Sequence, residues 1–437
     1  MKDEAGNFLR SVVGKRQDIV ANFNRAFKDR WRQLINGFWF IPMLIALLGP
    51  LLALIFLALD HALGQVDRTL LFSGGAAEAS VILSTIAGAL ITVIALTFSI
   101  TILVLQMVSS QYTPRALRGF LQDRVTQIVA GSFFAISTYC LIVLTTIPDS
   151  SSRNPNFFPT ISITVAMMLG LFALVLLLIF IHHTGSVIQV TDITARIASQ
   201  TIEAMDVKYQ TLISEPFEAE TIFHGSVQAA DDPPVRFCAI HAGYVQRIVY
   251  SHLETVLHHP GIHVHLLVCP GDFVTEETSI AEIWPAEAAD PACRKAIFDS
   301  VYIERERDFY QDPRFGVRQL ADISLRALSP AVNDPTTAAL CIRYLQAVFE
   351  HYVRCKPQPN VFHMANGSSI LEIRQPTFRE YIEVFLEIGH YTGGNIRINN
   401  TLLTALQKII ELAEQLGLEE YQIYLAELKS KMVTQLS

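Results

Sequence analysis

Two stretches of this chain hold side chains whose types and spacing could do chemistry. In the first, Asp312-Pro313 and Asn333-Asp334-Pro335 each set an acidic residue before a proline, the pattern of a helix N-cap followed by Pro at the first helical position. The free N–H groups of a helix N-terminus attract anions. Arg318, Arg326, Asn333, Asp334 and Thr336 gather around this bend in sequence and are the candidates for holding a small anionic ligand. The competing reading is architectural, a fixed helix–turn–helix. In the second stretch, Thr85, Gly88, Thr92, Ala95, Ser99 and Gln106 recur at helical spacing, with Ser110 beyond them. A face of small and hydroxyl residues either lines a polar pathway or lets two helices approach closely in lipid. No charged residue lies on it, although ion pathways more often carry one.

Histidines form two further groups. His182 and His183 are neighbours, so on a helix they point in different directions and do not easily serve one metal; they read as interfacial side chains or as a pH sensor, since imidazole titrates near neutrality. His258, His259, His263 and His265 lie close together, and His263 and His265 share one face of a strand. Zinc wants three or four ligands at defined geometry, and the plainer reading is a set of exposed histidines. No metal ligand set and no cofactor site is assigned. There is no GxGxxG, Walker-type loop, HExxH or nucleophile elbow, so nothing announces an enzyme active site.

The elements that must position these residues divide the chain in two. Of 437 residues, 51% are hydrophobic and 17% charged, against roughly 25% charged in an average soluble domain. Through His183 there are 13 Lys and Arg against 9 Asp and Glu, and from Thr184 onward 20 against 32, so the halves carry +4 and −12. About 20 apolar residues cross the roughly 30 Å of hydrocarbon in a bilayer. Four segments meet that length, at about 38–59, 79–108, 125–148 and 157–181 within a transmembrane region 38–183. The 30-residue second segment is longer than a bilayer needs, so it tilts or projects.

Positive charge sets the orientation. Eight basic residues precede the first span, and Arg115, Arg118 and Arg124 follow the second, whereas the other two loops hold only Arg68 and Arg153. Both termini are therefore expected in the cytosol of a bacterial inner (plasma) membrane. Region 1–37 reads as an amphipathic helix with Val20, Phe23, Phe27, Trp31 and Leu34 on one face. It suits either the inner-leaflet interface, where anionic lipids attract Lys and Arg, or packing on the cytosolic part. No cleavable signal peptide is read there.

The second half reads as a soluble α+β domain. A helical extension and linker (184–234) continues the fourth span. A small β-rich module (235–290) has strands near 235–240, 262–268 and 280–284. A mainly helical region (291–437) follows, with a helix at 314–328, a hairpin around Asn366-Gly367 at about 361–374 and helices at about 376–391 and 399–433. Its acidity and lack of clustered Lys and Arg exclude nonspecific nucleic-acid binding. Six cysteines without a CxxC pair fit a reducing compartment.

Four blocks carry a family resemblance: the run Tyr112-Thr113-Pro114-Arg115-Ala116-Leu117-Arg118-Gly119-Phe120-Leu121-Gln122-Asp123-Arg124, Phe180-Ile181-His182-His183, Gly243-Tyr244-Val245-Gln246, and Ala321-Asp322-Ile323 through Arg326-Ala327-Leu328-Ser329-Pro330-Ala331-Val332-Asn333-Asp334-Pro335-Thr336-Thr337-Ala338. The chain resembles, from about residue 30 to about 430, a bacterial predicted-membrane-protein family catalogued as domain of unknown function 2254. The resemblance implies an inner-membrane protein with a cytosolic part and implies no activity. The expected fold is an α-helical membrane protein with four transmembrane helices and a C-terminal cytosolic α+β domain. The expected function is an oligomeric channel or transporter with the second span near the axis and a gating or sensing domain; the alternative is a membrane-anchored regulatory or scaffold protein. Expected partners are the lipid bilayer, further copies of the chain and a small anionic ligand, and no nucleic acid.

Overall fold

Four helices of the computed structural model are long and apolar enough to cross a membrane: Phe40–Leu63, Ala76–Met107, Arg124–Thr146 and Thr160–Gly185. All four expected spans are thus present. The structure describes residues 40–63, 72–111, 123–147, 158–187, 189–213, 217–219, 233–257, 261–355, 360–364 and 369–436. The expected helix of 1–37, most of the Tyr112–Arg124 run, His258, His259 and the Asn366-Gly367 turn lie outside the described residues, as does the side chain of Ser110. The chain folds as two units, Met1–Ile188 and Gln189–Ser437.

In the first unit the third span is the centre, with 56% of its apolar window buried against 17%, 22% and 28% for the others. Phe133, Tyr139, Cys140 and Val143 on it are buried against Leu83, Ala87, Ile163 and Phe180. Glycine lets the first span come close. A Cβ added at Gly49 falls 2.1 Å from the Ala135 carbonyl oxygen, and one at Gly131 falls 2.9 Å from the Pro42 Cα. The close helix contact that lipid favours with small residues is therefore made between spans one and three. The second helix runs from Ala76 to Gln111, 36 residues, or about 54 Å at 1.5 Å per residue.

Asp60 closes the far end of the first span. It is 5% exposed and accepts hydrogen bonds from Ile161 N (2.9 Å), Ser162 N (3.0 Å) and Ser162 Oγ (2.6 Å). A carboxylate of one span thus takes the unpaired N–H groups that begin another, at the positive end of its dipole.

In the second unit the Val190–Ile213 helix is separate from Thr160–Val187, a correction to the expected continuous helix. The N–H groups of Asp192 and Ile193 turn back onto the Gln189 carbonyl and start a new helix there. Two sheets follow. Strands β1 (Phe217–Ala219), β2 (Val235–Cys238), β4 (His263–Leu266), β6 (Ser279–Trp284), β8 (Val361–Met364) and β9 (Ile370–Ile373) form one in the order β1-β8-β9-β4-β6-β2. Its pairings are antiparallel except β4–β9. Strands β3 (Gly243–Ile248), β5 (Phe273–Val274) and β7 (Val301–Glu304) form the other, in the order β5-β3-β7. The expected hairpin of β8 and β9 is present and hydrogen-bonds into the same sheet as the β-rich segment. Period-two alternation puts Val264 and Leu266 in the core and His263 and His265 on the other face.

Proline at the first position starts both the Pro313–Ala327 and Pro335–Arg354 helices. Together with Val190–Ile213 and Ile396–Gln415 they form the helical layer. Gly316 allows the first of them to touch Thr201, since a Cβ there falls 1.8 Å from Thr201 Oγ1. The long terminal helix expected at 399–433 is instead two, Ile396–Gln415 and Glu419–Leu436. Gly417 between them sits at φ 69°, and the bonds Leu418 N to Ala413 O and Gly417 N to Glu414 O close a glycine-ended helix terminus.

Candidate functional site

A cleft of about 640 Å³ opens in the second unit between the Pro313–Ala327 helix and the segment Phe378–His390. The turn Pro270-Gly271-Asp272 closes one end. Gly271 holds φ 93° there, and a Cβ on it falls 2.4 Å from the Asp312 carboxylate, so backbone and acid meet only because the residue is glycine. Across the cleft, Thr377 and Glu380 cap the short Phe378–Ile382 helix reciprocally, which fixes Glu380 at the mouth.

Arginines and carboxylates alternate along these walls. Arg314 donates to Asp272 Oδ1 (2.9 Å) and the Pro270 carbonyl (2.8 Å) and pairs with Glu380 at 3.3 Å. Arg374 bonds the other oxygen of Asp272 and lies 3.7 Å from Glu380. Arg318 makes a two-pronged contact to Glu387 at 2.6 and 2.9 Å and bonds Asp322 at 2.6 Å. Arg307 pairs with Asp312 at 2.7 Å. Burial alone would raise the Asp272 carboxyl, but the Cys269 N–H and the Arg314 guanidinium outweigh it and hold it below the ordinary range. Asp312, 1% exposed, goes the other way: burial pushes its carboxyl up against the pull of Arg307 and Arg314. Burial also pushes the Cys269 thiol up to about 12, so it stays protonated at neutral pH and is no nucleophile.

One pair is incomplete. Asp312 Oδ1 and Arg314 Nε are buried 3.9 Å apart, and neither makes a hydrogen bond. Buried polar atoms are ordinarily satisfied, and these two are exceptions. Three arginines (307, 314, 318) and three glutamates (380, 383, 387) line the cleft. It therefore presents both signs rather than the purely cationic surface expected for an anion.

Of the five sequence candidates for a ligand, Arg318 alone lines this cleft. Arg326, Asn333 and Thr336 are exposed, and Asn333 adopts a left-handed φ of 46°. Asp334 does cap its helix. It accepts from Thr336 N (3.0 Å), Thr337 N (3.1 Å) and Thr337 Oγ1 (2.6 Å). A carboxylate of the chain itself thus occupies those two N–H groups. Asp312 precedes its proline as expected, yet its side chain makes no capping bond. It turns to Arg307 instead.

Thr85, Gly88, Thr92, Ser99 and Gln106 all lie on the exposed face of the second span. Thr85, Thr92 and Ser99 donate to the carbonyls of Val81, Gly88 and Ala95 one turn earlier, and a Cβ at Gly88 meets nothing within 4 Å. Their polar groups are satisfied within their own helix, as lipid requires.

His182 is exposed, while half-buried His183 places Nε2 2.9 and 3.0 Å from the oxygens of Asp123, the cap of the third span. His263 and His265 both face Glu372, at 3.2 and 3.8 Å, and His263 stacks on Trp284. Sequence reasoning missed Asp60, Asp272, Arg314 and Glu380. Of these, only Asp272 carries a local signal, in the turn sequence Pro270-Gly271-Asp272, and such a signal marks a bend without showing what it meets.

A family described as predicted membrane protein (DUF2254) matches residues 36–408. A protein of Mycobacterium tuberculosis and one of Mycobacterium bovis, each described as an uncharacterized protein, are 29% identical to this chain over 358 residues, covering 80% of it and 67% of their own length. No solved structure matches.

Proposed function

The chain belongs to the DUF2254 family of predicted membrane proteins, and from that premise we propose that it is a bacterial inner-membrane regulator whose second unit, held in the cytosol by four spans, senses a small molecule carrying both charges. The observation behind the reading is the cleft itself, whose walls set three arginines beside three glutamates. An anionic group of the ligand would meet Arg314 and Arg318, and a cationic group would meet Glu380, Glu383 and Glu387. The concentration of basic residues before the first span and after the second supports the cytosolic side.

The test uses the full chain in mild detergent against a panel of small zwitterions and small anions, read by thermal shift and calorimetry. A ligand at a hundred times its dissociation constant stabilises the folded state by about 2.7 kcal/mol. Arg318→Gln is expected to weaken the response tenfold or more, on the order of a lost charge-assisted contact. Saturable binding that Arg318→Gln leaves unchanged would remove the cleft from the reading.

A second reading, an oligomeric channel with the second span near its axis, is favoured by one observation. Among the described residues, Thr85, Gly88, Thr92, Ser99 and Gln106 are all exposed. Its test is the oligomeric state in mild detergent followed by flux into liposomes. A monomer without flux ends that reading and leaves the sensor reading standing.

A further inference from the structure

We propose that Asp206, His351 and Cys355 form a divalent-metal site of the kind zinc prefers. The sequence assigns no metal ligands, and Asp206 lies 145 residues before His351. In the structure one ligand atom from each lies within 4.8 Å of the other two. The Val190–Ile213 helix brings Asp206, and the end of the Pro335–Arg354 helix brings the other two. His351 and Cys355 are one turn apart, and the Cys355 N–H bonds the His351 carbonyl, so both face the same way. His351 Nε2 already lies 2.9 Å from Asp206 Oδ1.

The chemistry of the set fits. Imidazole, thiolate and carboxylate are the three side-chain types that bind zinc, at about 2.0–2.1, 2.3 and 2.0–2.2 Å. At the tetrahedral angle such ligand atoms stand roughly 3.3–3.7 Å from one another. The 2.9 Å pair must open slightly and the wider separations close, which side-chain rotation at a half-exposed position supplies. The metal takes the place of the proton between His351 and Asp206, and the Cys355 thiol loses its proton to solvent as the sulfur–metal bond forms. Three protein ligands leave the fourth position to water, the ligand number of an open rather than a closed structural site. His351 and Asp206 are 29% and 52% exposed, so an ion has access. None of the three residues lines the cleft.

The test is titration of chelator-stripped full-length protein in detergent with Co²⁺, then displacement by Zn²⁺. One equivalent of cobalt is expected to bind with a thiolate-to-metal charge-transfer band that zinc abolishes. Cys355→Ser removes the band, Cys238→Ser at an exposed cysteine outside the trio leaves it, and His351→Ala weakens binding by at least about tenfold. Asp206→Asn is the companion variant should Cys355→Ser fail to fold, and it is expected to weaken binding likewise. No band with the unaltered chain, or a band that survives Cys355→Ser or disappears with Cys238→Ser, overturns the proposal. Binding that Asp206→Asn leaves unchanged overturns it as well.

Discussion

The two units hold their polar groups in opposite ways. In the membrane unit most hydroxyls bond the carbonyl one turn back in their own helix, as Thr92, Thr97, Ser99 and Thr101 do. In the second unit several charged groups find partners far away in sequence: Arg374 and Asp272 are 102 residues apart, Arg318 and Glu387 69. Lipid offers no water to an unpaired group, so a spanning helix must satisfy itself locally. A water-facing cleft has no such constraint and can assemble charges from any part of the chain. Where the membrane unit does cohere, it does so through shape, at Gly49 and Gly131. Hydrogen bonds between spans add to it: Ser162 N–H to Asp60, the Tyr139 hydroxyl to the Ser162 carbonyl, and the contact between His183 and Asp123.

Breaking the charged network is the strongest way to sharpen this contrast. Arg314→Gln leaves Asp272 with Arg374 as its remaining arginine and takes away one of the two guanidinium groups beside Asp312, which is 1% exposed. Removing one member of a buried ion pair costs about 3–5 kcal/mol. The expected outcome is a large drop in the unfolding midpoint of the second unit with the helix content of the spans retained, measured by circular dichroism in detergent. A drop no larger than that of a surface variant such as Arg397→Gln would mean the cleft network does not hold this unit together.

Shape comes next. Gly49→Ala drives a methyl group to 2.1 Å from the Ala135 carbonyl oxygen, and a backbone atom cannot rotate away. Overpacking of this kind costs about 1–3 kcal/mol, and here the loss falls on the membrane unit. Retention of the unaltered resistance to thermal inactivation in detergent would show that spans one and three are not in close contact.

A smaller effect tests the cap at Asp334. The Thr337 hydroxyl and the N–H groups of Thr337 and Thr336 hold its carboxyl below the ordinary range. A depressed folded-state value contributes stability above the unfolded value of about 3.9, and that contribution is lost as pH falls through the lower folded value. Asp334→Ala is therefore expected to cost about 1 kcal/mol at neutral pH, and the difference from the unaltered chain should begin to shrink as pH falls below about 4 and disappear below the lower folded value. A gap of the same size at both ends of the pH range would assign the loss to packing.

The same contrast explains what the sequence revealed. The spans were legible because composition and length are local properties, and the strands near Val264 and Ile283 because alternation is. Asp334 was legible as a cap because capping acts over three residues. The cleft was not. Nothing near Arg314 in sequence announces Asp272 or Glu380, and only the fold brings Phe378–His390 across from the Pro313–Ala327 helix. The metal trio shares that history: His351 and Cys355 have helical spacing, but the third ligand comes from another helix. The stripe on the second span was visible, yet its direction was not, because periodicity defines a face without saying what faces it.

That last point yields the subtlest experiment, the counterpart of Gly49→Ala. Gly88→Ala makes the same change in another span, where the new methyl group meets nothing within 4 Å. Within one copy of the chain nothing is crowded, and alanine favours a helix over glycine by about 1 kcal/mol in water, so the fold of a single copy is expected to stay as stable or gain slightly. If the face meets only lipid, the variant behaves as the unaltered chain in every assay. If copies of the chain meet there, close approach at Gly88 is lost, and the oligomer dissociates at lower detergent concentration while each copy stays folded. Size measurements across a detergent series separate these outcomes, and the second would carry the close packing seen between spans one and three over to an interface between chains.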